Sequence, residues 1–458
     1  MLKHDRIRNK KETFFMQGEP FKRFGGMWAA AIGLSLLATA AGAADYSGGE
    51  GTKPDPYKIS RLDDWTTLTS TTDDWDRFFV LTTDLDFAGA SVMPVGSEFI
   101  PFTGFFAGTG HVLRDFTINL PETDDVGLFG FIGAGGVILQ LGVKSAVVTG
   151  YNNVGALAGC NEYLGRIEDC YTTGRVTGHN RVGGLVGRCG LLKYCRSACT
   201  VTGNTQIGGL AGYIAYAPMQ ACCATGMVTG STSTGGLLGH NKDGDIEFCY
   251  ARGAVAGSSG IGGLVGFNTD GSLKNCYAAG TVFGTDKVGG LVGHIELSYI
   301  KSCYAIGAVS GDTDTGGLVG LNDTVTVEAS YWDMNTSGQV VSAGGEGRTT
   351  GAMTWSYGAT TFVDWDFTEV WAADTDYSIN KGYPYLLENV PVPEQFHPAD
   401  VNLDWRMEMS EAIAYIVGWQ NGVNPMAYAI RAAFLWQNGE NYFYDGEEDP
   451  PLCWILTL

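Results

Sequence analysis

From Val126 onward the chain is built of apolar runs four to six residues long, β-branched and punctuated by glycine. The clearest run recurs as Val126-Gly-Leu-Phe-Gly130, Val154-Gly-Ala-Leu-Ala-Gly159, Val182-Gly-Gly-Leu-Val-Gly187 and Ile207-Gly-Gly-Leu-Ala-Gly212. It continues through Thr234–Gly239, Ile261–Gly266, Val288–Gly293 and Thr315–Gly320. The central leucines, Leu128, Leu157, Leu185, Leu210, Leu237, Leu264, Leu291 and Leu318, are spaced by 29, 28, 25, 27, 27, 27 and 27 residues. Other columns keep step. Cysteine recurs at Cys170, Cys195, Cys222, Cys249, Cys276 and Cys303, with an apolar residue three places before each and a valine six places after.

Helical repeats need apolar residues at 3.6-residue spacing and few glycines. This pattern instead predicts short strands separated by tight turns. Asp243-Gly244 and Asp270-Gly271 are turn pairs, and Asn161, Asn241, Asn268 and Asn322 suit left-handed backbone. A unit of 27 residues cannot bury a face alone, so successive units must stack and hydrogen-bond to one another. The expected fold is all-β: a parallel β-helix, or solenoid, of ~27-residue coils about 4.8 Å apart, with like residues in ladders. A right-handed coil is expected, although the pattern does not itself fix the hand. The doubled glycines imply close backbone approach or bulges at one corner. Propeller blades run longer, roughly 40–50 residues, and the leucine-rich pattern with its Asn/Cys position is missing.

The unit with its Val-Gly-Gly-Leu-Val-Gly run, its Cys-Tyr-Ala and its closing Val-x-Gly resembles the GLUG motif of bacterial secreted and surface proteins. The resemblance covers about 126–331. The flanks Asp45–Gly51, Phe102–His111 and Tyr331–Gly338 are similar to those of the same proteins. It implies a β-helix that is secreted or on a bacterial cell surface, with a part in adhesion, and carries no defined activity. The organisation expected is residues 44–125 as N-terminal coils and cap, 126–331 as the repeat solenoid and 332–388 as its C-terminal cap. A proline-rich linker at 389–398 and a small α-helical module at 399–458 follow.

Residues 1–43 are read as a signal peptide. Seven Lys or Arg residues precede an uncharged apolar run, Met27–Ala40, and Ala41-Gly42-Ala43 is a small-x-small cleavage site. Met16 is an alternative start. The apolar run is shorter than the ~20 residues of a membrane span, though an uncleaved anchor is the competing reading. No transmembrane span is expected in the mature chain.

Composition narrows the class. Glycine reaches 67 of 458 residues with only 14 prolines, and the glycines do not fall every third residue, which excludes collagen. Aromatic residues at 12% are enough to build a core and exclude general disorder. A balance of 28 basic against 49 acidic residues, −21, disfavours nucleic acid as a partner.

Export permits disulfides. In-register ladder side chains nevertheless sit ~4.8 Å apart, wider than the ~3.8 Å between the Cβ atoms of a disulfide, so the cysteine column is read as buried free thiols. Cys160, Cys189, Cys199, Cys223 and Cys453 lie outside it, and a pair among them stays open. The tyrosines that follow the column, Tyr171, Tyr250, Tyr277, Tyr304 and Tyr331, form either a packing ladder or an aromatic platform for sugars, with packing favoured.

Past the linker, 410–420 and 426–437 read as helices. Ahead of them Asp400, Asn402, Asp404 and Glu411 take positions 1, 3, 5 and 12 of an EF-hand calcium loop, with the Arg406 carbonyl at position 7. Trp405 stands where glycine makes the sharp turn, so Ca²⁺ binding is expected to be weak. The competing reading is an acidic helix cap. One loop followed by a helix resembles half of a dockerin, which implies docking to a cohesin-like partner.

No nucleophile elbow, zinc-protease motif or phosphate loop appears in the repeats. The histidines His111, His179, His240, His294 and His397 are read as scattered over different columns. Asp63, Asp64, Asp73, Asp74, Asp76, Asp84 and Asp86 are the candidate source of a catalytic carboxylate pair. The function expected is a non-enzymatic, secreted or cell-surface solenoid presenting an extended adhesion surface to an extracellular polysaccharide or another surface protein. The alternative is a polysaccharide-active β-helix lyase or hydrolase.

Overall fold

The computed structural model describes residues 46–162 and 164–391, together with two short strands, Tyr442–Tyr444 and Trp454–Leu456. The repeats form a parallel β-solenoid. In a representative coil the chain passes along a first face at Thr232–Gly235, a second at Leu238–Lys242 and a third at Asp245–Glu247. It then crosses a fourth face in two pieces, Tyr250–Ala251 and Val255–Ala256. Each strand pairs in parallel with its equivalent in the coils before and after, as in Leu238↔Val265 and Ile246↔Leu273. The first three faces hold seven, eight and eleven strands, so the longest spans ~48 Å at 4.8 Å per rung. On the fourth face the long strands Gly142–Thr149 and Tyr171–Thr177 give way to pairs of short ones. That face therefore forks into two ladders rather than closing as a barrel.

Burial follows the sequence columns. All eight central leucines are fully buried, and Ile167, Leu192, Met219, Ile246, Leu273 and Ile300 line the third face from within. The second glycine of each pair sits where two coils touch. A Cβ on Gly236 would lie 2.1 Å from the Gly263 carbonyl oxygen. Two corners use single left-handed residues that are not glycine, Asp243 and Asp270 at one and Phe248 and Asn275 at the next, and Ser233 and Lys287 are left-handed within the first-face strands. Such backbone costs ~1–2 kcal/mol per residue, offset here by rung hydrogen bonds.

The asparagines do something other than expected. Asn161, Asn241 and Asn268 are buried and keep right-handed or extended backbone. Their amides point inward and donate to turn carbonyls, Asn241 to Gly244 at 2.9 Å and Asn268 to Gly271 at 3.2 Å. Asn241 also donates to Asn268 Oδ1 at 2.6 Å, tying neighbouring coils.

Both ends of the stack are closed. At the start, the helix Leu62–Ser70 inserts Trp65 and Leu68 into the core. Trp65 meets Phe87, Phe106 and Phe129 edge-on at 6.0–6.2 Å. At the other end Trp332 packs beneath Gly317, and Gly317 N–H donates to the Val341 carbonyl at 3.0 Å. The chain then turns back along the fourth face as a strap. Trp365 Nε1 donates to the Ala329 carbonyl, Tyr304 Oη to Pro384, and Asn389 Nδ2 to Cys222 and Phe248. The expected small helical module at 399–458 lies outside the described residues. Tyr442–Tyr444 and Trp454–Leu456 pair antiparallel, a feature the helical reading did not include.

Candidate binding face

The outward positions of the second face carry a stripe of rings. Tyr213, His240, Phe267, His294 and Leu321 are cross-strand partners in consecutive coils. The Tyr213 and His240 rings meet edge-on at 5.3 Å. His240 stacks on Phe267 at 4.8 Å, and Phe267 on His294 at 4.5 Å with planes 7° apart. Arg181 places its guanidinium over Tyr213, 5.1 Å from the ring centre. Gln206 Nε2 donates to His240 Nδ1 at 2.9 Å, and His294 Nε2 donates to Asp323 at 2.8 Å. Partial burial, with the Lys242 and Arg181 charges nearby, pushes the His240 pKa down to about 4, so its ring is neutral at physiological pH.

This arrangement corrects the reading of the histidines as scattered. His240 and His294 are two repeats apart and share one column. The signal was their common place after the Gly-Gly-Leu-x-Gly run, hidden because phenylalanine stands between them. Because the rings stack on each other, their faces are occupied. Solvent meets ring edges, a guanidinium, a carboxylate and an amide, which suits hydrogen bonding to a hydroxyl-rich surface.

The tyrosine column is a packing ladder. Tyr250, Tyr277 and Tyr304 stack at 5.0 and 4.9 Å and are buried under the strap by Phe362, Trp365 and Trp371. Beside them a groove of 530 Å³ runs between the fourth face and the strap, with Arg252, Lys381 and Tyr377 in its wall. Arg252 there donates to Asn380 Oδ1 at 3.0 Å.

The cysteine column is buried, and its thiols are free. Each donates to the carbonyl two residues back, as Cys249 does to Glu247 at 3.1 Å. Burial pushes Cys170 up to about 12, so its thiol stays protonated and inert. The outlying Cys160, Cys189, Cys199 and Cys223 are also buried and free, and Cys453 lies outside the described residues.

Three of the N-terminal aspartates are engaged in local hydrogen bonds and ion pairs. Asp64 is buried and accepts from Ser47, Ser60 N–H and Arg61. Asp84 accepts from His111 and Val112 N–H, and Asp86 pairs with Arg114. The calcium-loop residues Asp400, Asn402, Asp404, Arg406 and Glu411 lie outside the described residues. Among the described residues no cluster of three or more His, Cys, Asp or Glu side chains is placed to hold a metal ion. No helix among them is long and apolar enough to cross a membrane.

The GLUG motif model matches residues 150–177 and 257–282. The chain carries the GLUG motif at these two places in the solenoid. Over 152 residues it is 37% identical to halomucin of Haloquadratum walsbyi, covering 30% of this chain and 2% of that one. Over 124 residues it is 32% identical to a provisionally named Gly-rich membrane protein of Evansella cellulosilytica, covering 25% of this chain and 14% of that one. The chain thus spans a small fraction of these relatives' length. A crystal structure of a candidate immunoglobulin A1 protease from Bacteroides ovatus aligns over 75% of this chain and 96% of its own. Its TM-score of 0.39 at 20% identity is too low to transfer anything.

Proposed function

We propose that the protein is a secreted or cell-surface, non-enzymatic β-solenoid that presents an extended adhesion surface, anchored by its C-terminal module. The observation that carries this is the stripe on the second face. Its rings run from Tyr213 through His240 and Phe267 to His294 at a fixed rung spacing, with Arg181 reaching over Tyr213 from the first face and Asp323 bonded to His294. A rigid ribbed face binds a repeating partner without first ordering itself, which lowers the entropic cost of association. The partner class that fits is an extracellular polysaccharide, or another surface protein with exposed hydroxyls and amides. The relatives' names, a halomucin and a Gly-rich membrane protein, support a place at or outside the cell surface. A glycan-array screen of the mature protein, with product analysis, tests this. Retention of intact glycans supports it, and their cleavage contradicts the non-enzymatic part.

The anchoring part rests on the loop Asp400, Asn402, Asp404, Arg406 and Glu411, which has the spacing for Ca²⁺ and, by its dockerin-like order, for a cohesin-like partner. Calorimetry on the whole chain tests it: Ca²⁺ heat at millimolar concentration that disappears with Asp400→Ala and Glu411→Ala. Unchanged heat in that variant contradicts it.

A further inference from the structure

Two outward columns run along the second face. Beside the rings Tyr213, His240, Phe267 and His294 stands a second column, Ala215–Lys242–Thr269–Glu296–Asp323, in parallel register. The ring column continues one coil lower to Arg188, the cross-strand partner of Tyr213. Arg188 is exposed, and Arg181 and Lys242 are half-buried. Arg181 lies over Tyr213 and donates to Gln206 Oε1 at 3.2 Å. Lys242 lies over the Tyr216 ring, 5.9 Å from its centre. The ion pairs of the described residues include none of these three cations. Burial comes first in lowering the His240 pKa and the charges of Lys242 and Arg181 come next, so the field of both reaches the ring column.

Charge is graded along this face. Arg181, Arg188 and Lys242 fall within three consecutive coils, and two rungs, ~9.6 Å, separate Arg188 from the strand of Lys242. The outward strand positions of the second face there are Arg188, Tyr213, Ala215, His240 and Lys242, so every charge among them is positive. Asp243 follows Lys242 at the corner toward the third face. Below Arg188, Glu162 accepts from Ala134 N–H at 3.2 Å, and Asp125 accepts from Asn153 Nδ2 at 2.8 Å. Two coils beyond Lys242 the balance reverses, with Glu296 and then Asp323 in the same column and Asp314 on the first face. Lys287 lies there beside Asp286. In a chain of 49 acidic and 28 basic residues, a cationic stretch beside the rings runs against the composition. A guanidinium fork matches the two coplanar oxygens of a carboxylate. Three cations spread over two rungs suit a glycan with a single charge on each sugar. A densely sulfated chain would carry its charge on to Glu296 and Asp323 and be repelled there.

We infer that the partner of the second face is a carboxylated, uronic-acid polysaccharide, whose carboxylates pair with Arg181, Arg188 and Lys242 while its hydroxyls meet the ring edges of Tyr213 and His240. This rests on the adhesion reading above and names the chemistry of its ligand. The test measures binding of polygalacturonate, dextran sulfate and uncharged dextran to the immobilised whole chain. Polygalacturonate should bind at least 10-fold more tightly than dextran, and more tightly than dextran sulfate. Arg181→Gln with Arg188→Gln and Lys242→Gln should weaken polygalacturonate at least 10-fold and leave dextran unchanged, with folding checked by circular dichroism. Arg188→Gln alone, at an exposed position, should weaken it at least 2-fold, and Glu296→Gln with Asp323→Asn should tighten it at least 2-fold. Equal affinity for polygalacturonate and dextran, a preference for dextran sulfate, or an unchanged affinity in the folded triple variant overturns the inference. Each of those results still shows a glycan held and leaves the adhesion reading standing. Binding of none of the three glycans overturns both.

Discussion

Replacing Gly263 by alanine should destabilise the solenoid by about 3 kcal/mol. The new methyl would stand 2.1 Å from the Gly290 carbonyl oxygen and 2.9 Å from the Ala278 Cβ. Ordinary contact needs roughly 1 Å more than the first of these. The obstructing atom is backbone in a rung bonded to both neighbours: Gly263 N–H donates to Gly289, and Gly290 N–H to Gly316. No side chain can swing aside. Overpacking of this kind costs ~1–3 kcal/mol, and a backbone obstacle places it at the upper end. Repeat stability resides in nearest-neighbour interfaces, so the loss falls on the contact between two coils and weakens the stack at that point. For a domain of about 345 residues, at ~2.1 cal/mol/K per residue, the melting temperature should fall by roughly 4 °C. Gly351→Ala is the control: a Cβ there meets nothing within 4 Å, and the short helix Thr350–Met353 should be unchanged or up to ~1 kcal/mol more stable. Urea titration followed by circular dichroism measures both. A Gly263→Ala midpoint within about 0.5 kcal/mol of the parent refutes the reasoning.

Cys249→Ser should cost only about 1 kcal/mol, because Ser330 already occupies that column, donating to Glu328 at 2.8 Å and accepting from Cys303 N–H at 3.1 Å; thermal melts check it. The six column thiols should resist alkylation in the native protein and react after unfolding, and mass mapping that finds adjacent pairs oxidised would contradict the free-thiol ladder. His240 has a folded-state pKa near 4, below its unfolded value. Its contribution is therefore intact above pH ~6.5 and lost as pH falls toward 4, by roughly 2 kcal/mol after allowance for partial exposure. The difference between urea midpoints at pH 7 and pH 4.5 should shrink in His240→Phe, and an unchanged difference argues against it. Tyr304→Phe removes a 2.6 Å bond to the Pro384 carbonyl and the 2.7 Å bond from Asn380. Losing them should loosen the strap by about 1–2 kcal/mol and speed proteolysis of 377–391 while the solenoid stays folded.

The parallel stack was legible because its cause is periodic. Leu237, Ile246, Cys249 and Val255 each recur every 27 residues, and burial follows their columns. Three features left weaker traces. The stripe on the second face mixes Tyr213, His240, Phe267 and His294 in one column, so no single residue type repeats. The strap joins Asn389 to Cys222 across 167 residues, a contact with no period. Asn241 and Asn268 marked turns correctly, but a buried side chain supplies the turn's hydrogen bond while the left-handed backbone falls on Asp243 and Asp270. The N-terminal aspartates show another limit of the sequence. Asp64 and Asp84 are dense in sequence because caps and turns need acceptors there, and each is already bonded to backbone N–H groups.

The adhesion reading stands on the stripe from Arg181 to Asp323, so binding to immobilised extracellular polysaccharides should be measured for the parent and for the triple variant Tyr213→Ala, His240→Ala and His294→Ala, with folding confirmed by circular dichroism. The account predicts that the parent retains intact polysaccharide and that the folded variant loses binding by at least 10-fold. Equal binding by the two proteins, or release of cleaved sugar by the parent, would contradict it.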